Sequence, residues 1–119
     1  MEFKSLSPAT VKSEVPSYYE ADCFFYLIVL NAQSVGLIRI KPLGKLMCEL
    51  SLSIFEVFRH RVLTRAKCYQ ILDFISSIGF LYVIIGTYLN RLKTLCERGG
   101  FEYLFTRDNK HWLRMELAQ

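Results

Sequence analysis

The hydrophobic pattern between Leu46 and Thr87 changes its period twice, and this change constrains the fold more than any other feature. Alternate residues are apolar from Leu46 to Ile54, which predicts a strand with one buried face. From Val62 to Ser77 the apolar residues recur at helical spacing, and Gly79 follows as a stop signal. Leu81 to Thr87 is rich in β-branched and aromatic residues, which predicts a buried strand. Together these segments predict a parallel strand–helix–strand crossover.

Further elements flank this crossover on both sides. In chain order they are a first strand (Glu2–Leu6), an irregular segment with at most a short helix (7–22), two strands around a turn (Phe24–Leu30, Asn31–Ser34, Val35–Ile40), a short helix (Leu89–Arg98) and two strands around a polar turn (Phe101–Thr106, Arg107–Lys110, His111–Leu117). Strands that neighbour each other across a short turn are expected to pair as antiparallel hairpins. The order predicts an α/β (α+β) fold with a mixed, mainly antiparallel sheet, in a single domain over residues 1–119.

Composition narrows the class of protein. A chain of 119 residues with 52% apolar residues can fold around its own core without a disulfide or a metal ion. The four cysteines, Cys23, Cys48, Cys68 and Cys96, are far apart and form no CxxC pair. We therefore expect buried free thiols in a reducing compartment and no metal site.

The apolar segment Gln70–Leu89 is long enough to be compared with a membrane span. It contains Asp73 and Gly79, and its pattern changes character at the glycine, which favours a helix followed by a buried strand. The first residues do not resemble a signal peptide. We expect a cytoplasmic protein without a membrane span.

The formal net charge of +4 is unevenly distributed, and the densest basic cluster lies at Arg59, His60 and Arg61 with Arg65 and Lys67. This cluster precedes or opens the long predicted helix, whose first backbone N–H groups are unpaired and attract phosphate. A phosphate-bearing cofactor would fit here; the alternative is a solvated helix start. We do not expect nucleic-acid binding, because the aromatic residues lie mostly in predicted buried strands and are not interleaved with basic ones.

The order of elements and the local sequence resemble the GNAT family of acetyl-CoA-dependent N-acetyltransferases, from about Phe24 to Leu117. The matching pieces are a Leu-x-Val-like strand end, a segment aligned with the Arg-x-x-Gly-x-Gly/Ala pyrophosphate turn, and Gly100-Phe101 before the last strands. The resemblance implies acetyl-CoA as cofactor and an amine, on a small molecule or a protein, as acceptor. It implies contacts with the pantetheine arm at Leu52, Ser53 and Ile54, and with the pyrophosphate at Arg59, His60, Arg61, Val62, Leu63, Thr64 and Arg65.

Two residues are candidates for proton transfer. Glu49 lies on the strand that enters the site and would act as the general base toward the acceptor amine; the alternative is a polar residue on a half-exposed strand. Counting back from Gly100-Phe101, the tyrosine acid of the family falls at Cys96, whose alternative role is a buried thiol packed beside Leu92. The asparagine that often precedes this helix falls one residue out of register, at Asn90.

The aligned pyrophosphate turn differs from the family pattern. Val62 and Thr64 stand where the family has glycine or alanine, and a β-branched residue crowds the approach of a phosphate to the backbone. This difference favours a second hypothesis, a GNAT-like domain without catalysis that serves assembly or partner binding.

A narrower resemblance agrees with that second hypothesis. Gly86-Thr87, Arg91-Leu92-Lys93-Thr94 and Thr106-Arg107-Asp108 are similar to segments of small GNAT-like proteins of short-tailed bacteriophages, a family associated with virion assembly. This resemblance implies a virion component or a second copy of the chain as partner. It also implies a location in the host-cell cytoplasm or the virion.

Overall fold

The computed structural model describes residues 1–117. The strands over these residues are β1 (Glu2–Leu6), β2 (Phe24–Leu30), β3 (Gln33–Pro42), β4 (Met47–Ile54), β5 (Tyr82–Thr87), β6 (Glu102–Arg107) and β7 (Lys110–Glu116). The helices are α1 (Pro8–Glu14), α2 (Arg59–Val62), α3 (Arg65–Ser77) and α4 (Asn90–Arg98), and a 3₁₀ turn occupies Glu56–Phe58. The predicted domain includes residues 118–119, which lie outside the described residues.

The described strands form one sheet in the order β1-β2-β3-β4-β5-β7-β6. Strands β4 and β5 run parallel, and the other neighbouring pairs are antiparallel. The predicted mixed sheet, its two hairpins and its single parallel crossover are therefore confirmed. The crossover connection from β4 to β5 contains α3, which packs against one face of the sheet near its centre.

The main core lies between the sheet and the two long helices. The apolar face of β4 supplies Cys48 and Leu50, both almost fully buried, and α3 supplies Ile71 and Ile75. Full burial of such an aliphatic side chain contributes about 1.5–3 kcal/mol. A smaller cluster on the other face joins α1 to β2 through Val11 and Phe25.

The long helix predicted from Val62 to Ser77 is interrupted. Thr64 has extended backbone angles, and its hydroxyl oxygen accepts a hydrogen bond from the backbone N–H of Lys67 at 3.3 Å. A threonine that caps a helix in this way ends the previous turn and starts a new one. The chain therefore forms the short helix α2, then α3 from Arg65.

Other boundaries differ from the sequence prediction by one or two residues. Ile78 continues the helical spacing of Ile71 and Ile75 in the sequence, but it follows the end of α3 and is 39% exposed. The turn predicted at Asn31–Ser34 is shorter, because Asn31 and Ala32 both adopt positive φ and β3 begins at Gln33. Among the described residues, no helix is long and apolar enough to cross a membrane.

Candidate functional site

Strands β4 and β5 separate along their length and open a cleft in the middle of the sheet. Their parallel ladder ends at the pair Leu50 and Ile85. Beyond that pair, β4 follows β3 as far as Ile54, and β5 follows β7 as far as Thr87. The inner backbone edges of both strands thus face the cleft, where an inserted chain with amide groups can hydrogen-bond to them.

Two adjoining cavities of about 150 and 300 Å³ occupy this cleft. Both are lined by Leu52 on β4, by Leu89 at the start of α4 and by Leu92 on α4. Ser53 and Ile54 line the smaller cavity, at the end of β4. The three residues predicted to contact the pantetheine arm are consecutive on β4 and line the smaller cavity of the cleft.

The basic residues predicted to bind pyrophosphate do not all face this cleft. Arg59 and Leu63 line it at the end of β4. The side chains of His60 and Arg61 are exposed on α2, and the Arg61 guanidinium lies 5.8 Å from the centre of the Phe58 ring. Only part of the predicted cluster can therefore reach a ligand in the cleft.

Val62 occupies a different place from the one predicted for it. Its side chain is fully buried in the main core, so it does not line the cleft, and the backbone around it is helical. The reason is that an apolar β-branched residue is more stable in the core than on the surface of a turn. The family's glycine turn, with its backbone open to a phosphate, therefore has no counterpart at Val62.

The first turn of α3 keeps part of its capacity for an anion. Helix geometry leaves its first N–H groups without acceptors inside the helix, and Thr64 satisfies the one of Lys67. Arg65 lies over the ring of Tyr69, 5.8 Å from its centre, and donates to the Tyr69 hydroxyl at 3.4 Å. These contacts hold the Arg65 side chain along α3.

Glu49 lies one residue before the point at which β4 and β5 part. It is half-buried, and in the register of the sheet it lies opposite Lys41 on β3 and Ile84 on β5. The carboxylate of Glu20, 2.9 Å from Lys41 Nζ, raises the pKa of Lys41, and Glu49 adds a smaller effect in the same direction. Glu49 thus precedes the start of the cleft, on the strand face opposite that of Cys48 and Leu50, and it lines neither of the two cavities.

Cys96 lies on the other side of the sheet, on α4. It is 8% exposed, and burial raises the pKa of its thiol to about 12. The group is therefore a neutral thiol near pH 7, which weakens it both as a nucleophile and as a proton donor. Cys23 and Cys48 are buried as well, and Cys68 is half-buried.

The sequence does not single out the α4 wall of the cleft. Tyr88 and Leu89 are 66% and 51% exposed, and they line the cleft beside Leu92. The stripe of Leu92 and Leu95 on one side of the helix is visible in the sequence as a core-facing pattern. The separation of β4 and β5 decides which strand edge this stripe contacts. Local sequence patterns do not predict that separation.

No model of a known protein family matches the chain, and no curated protein matches its sequence. Solved structures do match its fold. An IAA acetyltransferase from Bacillus cereus superposes with a TM-score of 0.74 at 10% identity, over 98% of this chain and 99% of that one. The N-acetyltransferase PseH of Campylobacter jejuni, in complex with acetyl coenzyme A, gives 0.70 at 9% identity over 98% and 99%.

A third structure, a GNAT family acetyltransferase from Elizabethkingia anophelis with acetyl-CoA bound, gives a TM-score of 0.68 at 16% identity. It covers 87% of this chain and 82% of that one. At such low identities the similarity establishes the fold: the chain has the GNAT fold, as the sequence predicted. These structures give no support to the narrower resemblance to phage virion proteins.

Proposed function

We propose that the protein binds acetyl-CoA in the cleft between β4 and β5 and transfers the acetyl group to an amine. The observation that carries this proposal is the end of the ladder at Leu50 and Ile85, which leaves two strand edges facing a cavity. An extended arm with amide groups, such as pantetheine, can pair with such an edge as an added strand would. The acetyl-CoA bound to two proteins of the same fold supports this choice of ligand.

The residues present fit the two ends of this cofactor in different ways. For the pantetheine arm, Leu52, Ser53 and Ile54 offer a backbone edge, and the leucine and isoleucine add apolar side chains. For the diphosphate, residues 59–65 contain no glycine, so close approach of the phosphates to the backbone is restricted. The compensating charge is on side chains, and Arg59 supplies it at the end of the cleft.

Bound acetyl-CoA would supply an activated thioester. During transfer a C–N bond forms, the C–S bond breaks and the amine loses a proton. Glu49 is our candidate for the group that accepts this proton, because it lies on β4 one residue before the pair at which the strands part. The departing thiolate would take up a proton from solvent. Cys96 is a poor donor for this step, because its thiol is buried and its pKa is raised to about 12.

A second candidate function is a domain of the same fold that does not catalyse and acts in assembly or partner binding. The helical turn at Arg59–Val62 favours it, because the glycine turn of the family is expected there. A phage virion is one setting for such a domain, on the strength of the sequence resemblance alone.

Incubation of the purified protein with acetyl-CoA and a panel of primary amines tests the choice between the two. Released CoA thiol and the mass of the acetylated amine are the readouts. Glu49→Gln should lower kcat by about a hundredfold, a typical general-base effect, with little change in cofactor affinity. Glu56→Gln, an exposed carboxylate in the turn after β4, serves as the matched control. Binding without turnover would favour the second candidate, and absence of both would overturn the proposal.

A further inference from the structure

A larger cavity, of about 650 Å³, lies between α2 and α4 and adjoins the cleft. One wall is the face of α4 formed by Arg91, Thr94, Leu95 and Arg98, and Arg59 stands in the opposite wall. The spacing of the α4 residues is that of a single helix face. Two arginines of α4 and Arg59, the first residue of α2, therefore line the same space.

These charges have no compensation on their own side of the helix. Among the described residues that line the cavity there is no aspartate or glutamate, and neither Arg91 nor Arg98 belongs to an ion pair. The acidic residue of α4, Glu97, pairs at 2.7 Å with Lys93 on the opposite side of the helix. The face toward the cavity thus carries an unneutralised positive charge.

The position of Arg91 is not explained by the stability of α4. It is the second residue of the helix, where the partial positive charge of the N-terminus disfavours a cation. Arg98 lies seven residues later, about 10 Å further along the helix axis at the usual rise per residue. A ligand with separate phosphate groups can span this distance and satisfy both arginines.

Exposed apolar side chains complete the cavity. Tyr88 and Leu89 line it and are 66% and 51% exposed, which is high for large apolar residues next to a core. A flat heterocyclic base bound between the arginines would cover part of this surface. The nucleotide half of CoA contains both features, phosphate groups and a heterocyclic base.

We infer that Arg91 and Arg98 of α4, facing Arg59, bind the phosphate groups of the CoA nucleotide. The inference rests on the proposed function and adds the residues that hold the anionic end. Guanidinium side chains of α4 then perform the task of a glycine turn, which residues 59–65 do not provide. The nucleotide would lie in the cavity next to α4, with its arm entering the cleft past Arg59.

Calorimetric titration with CoA and with adenosine 3′,5′-bisphosphate tests this inference without any turnover. The variant Arg91→Ala with Arg98→Ala is compared with Arg61→Ala with Arg107→Ala, which removes the same charge from two exposed arginines outside the cavity. We expect at least a tenfold loss of affinity for both ligands in the first variant and less than a twofold change in the second. Circular dichroism checks that both variants are folded.

The outcomes separate this inference from the proposed function. Bisphosphate binding that depends on Arg91 and Arg98, in a protein that transfers no acetyl group, would support the inference and count against catalysis. Equal affinities in the two variants would overturn the inference while leaving acetyl transfer open to its own test. Failure of the wild-type protein to bind either ligand would overturn the inference as well.

Discussion

The Nε atom of Arg59 donates a hydrogen bond to the carbonyl oxygen of Ile54, 3.3 Å away. This contact fixes a guanidinium group beside the last residue of β4, where the cleft meets the larger cavity next to α4. Arg59 lines both spaces. It is therefore the residue through which a ligand in the cleft and an anion beside α4 would be linked.

Replacement of this side chain should weaken cofactor binding. We predict that Arg59→Ala lowers the affinity for acetyl-CoA about tenfold, or about 1.4 kcal/mol, because an exposed guanidinium–phosphate contact is partly screened by solvent. Arg61→Ala removes an equal charge two residues away, outside both cavities, and should change the affinity less than twofold. Titration calorimetry at fixed salt compares the two; equal effects would show that general charge, and not position, decides binding.

The contact between β3 and β4 at the end of the cleft depends on a glycine. Gly36 pairs with Ile54, and a Cβ atom at Gly36 would lie 2.8 Å from the carbonyl oxygen of Ser53. Because that oxygen belongs to the backbone, Gly36→Ala must displace β4, at a cost of about 1–3 kcal/mol in the free energy of unfolding. Urea denaturation measures this cost. Ser34→Ala, at an exposed position of the same strand, is the control, and equal stability of the two variants would contradict the prediction.

The cap of α3 is a second local device whose contribution can be measured. Thr64→Ala removes the acceptor for the N–H of Lys67 and should lower the free energy of unfolding by about 1 kcal/mol. For a chain of this size that corresponds to a fall of about 4 °C in Tm. Thr64→Ser keeps the hydroxyl and should stay within about 1 °C of the wild type, on the same scale. A Thr64→Ala variant with unchanged Tm would show that water replaces the cap without cost.

The buried thiols should make the fold sensitive to alkali. Burial raises the pKa of both Cys48 and Cys96 from 9.0 to about 12, so the folded chain holds these protons more tightly than the unfolded chain. Their stabilisation is therefore complete below about pH 9 and is lost as pH rises from there toward 12. The free energy of unfolding falls by at most about 1.4 kcal/mol per pH unit for each thiol.

Urea denaturation at neutral pH and again above about pH 9, where the unfolded thiols ionise, tests this dependence. The double variant Cys48→Ala with Cys96→Ala should lose less stability between the two conditions than the wild type does. The comparison with the wild type subtracts groups common to both proteins, among them Tyr18, whose buried phenol also has a raised pKa. An equal loss in both proteins would show that these thiols do not control the alkaline transition.

Much of the fold follows from local patterns in the sequence. The alternation along β4 and the helical stripe of Ile71 and Ile75 are separate signals with different periods, and their order is enough to predict the crossover. The interruption at Thr64 is harder to predict, because Val62 continues the apolar stripe that a single long helix would have. One side-chain hydrogen bond to Lys67 marks the break.

The candidate site was predictable only on its β4 side. The prediction for Leu52, Ser53 and Ile54 comes from the resemblance to the GNAT family at the end of a predicted strand, whereas the α4 wall depends on tertiary packing. Arg98 belongs to no motif and Arg91 only to the resemblance to phage proteins, and the common direction of the two becomes meaningful only when α4 lies opposite Arg59. Val62, conversely, fits a motif by position, but the main core contains its side chain.

Calorimetric titration of the wild-type protein with acetyl-CoA, at low and moderate salt, tests most directly whether the cleft between β4 and β5 is a cofactor site. We predict saturable binding of one molecule per chain in the micromolar range. Raised ionic strength should weaken the binding through its phosphate contacts without abolishing it, since the arm in the cleft is held by backbone and apolar contacts. Absence of binding at millimolar acetyl-CoA would show that the cleft is not a cofactor site.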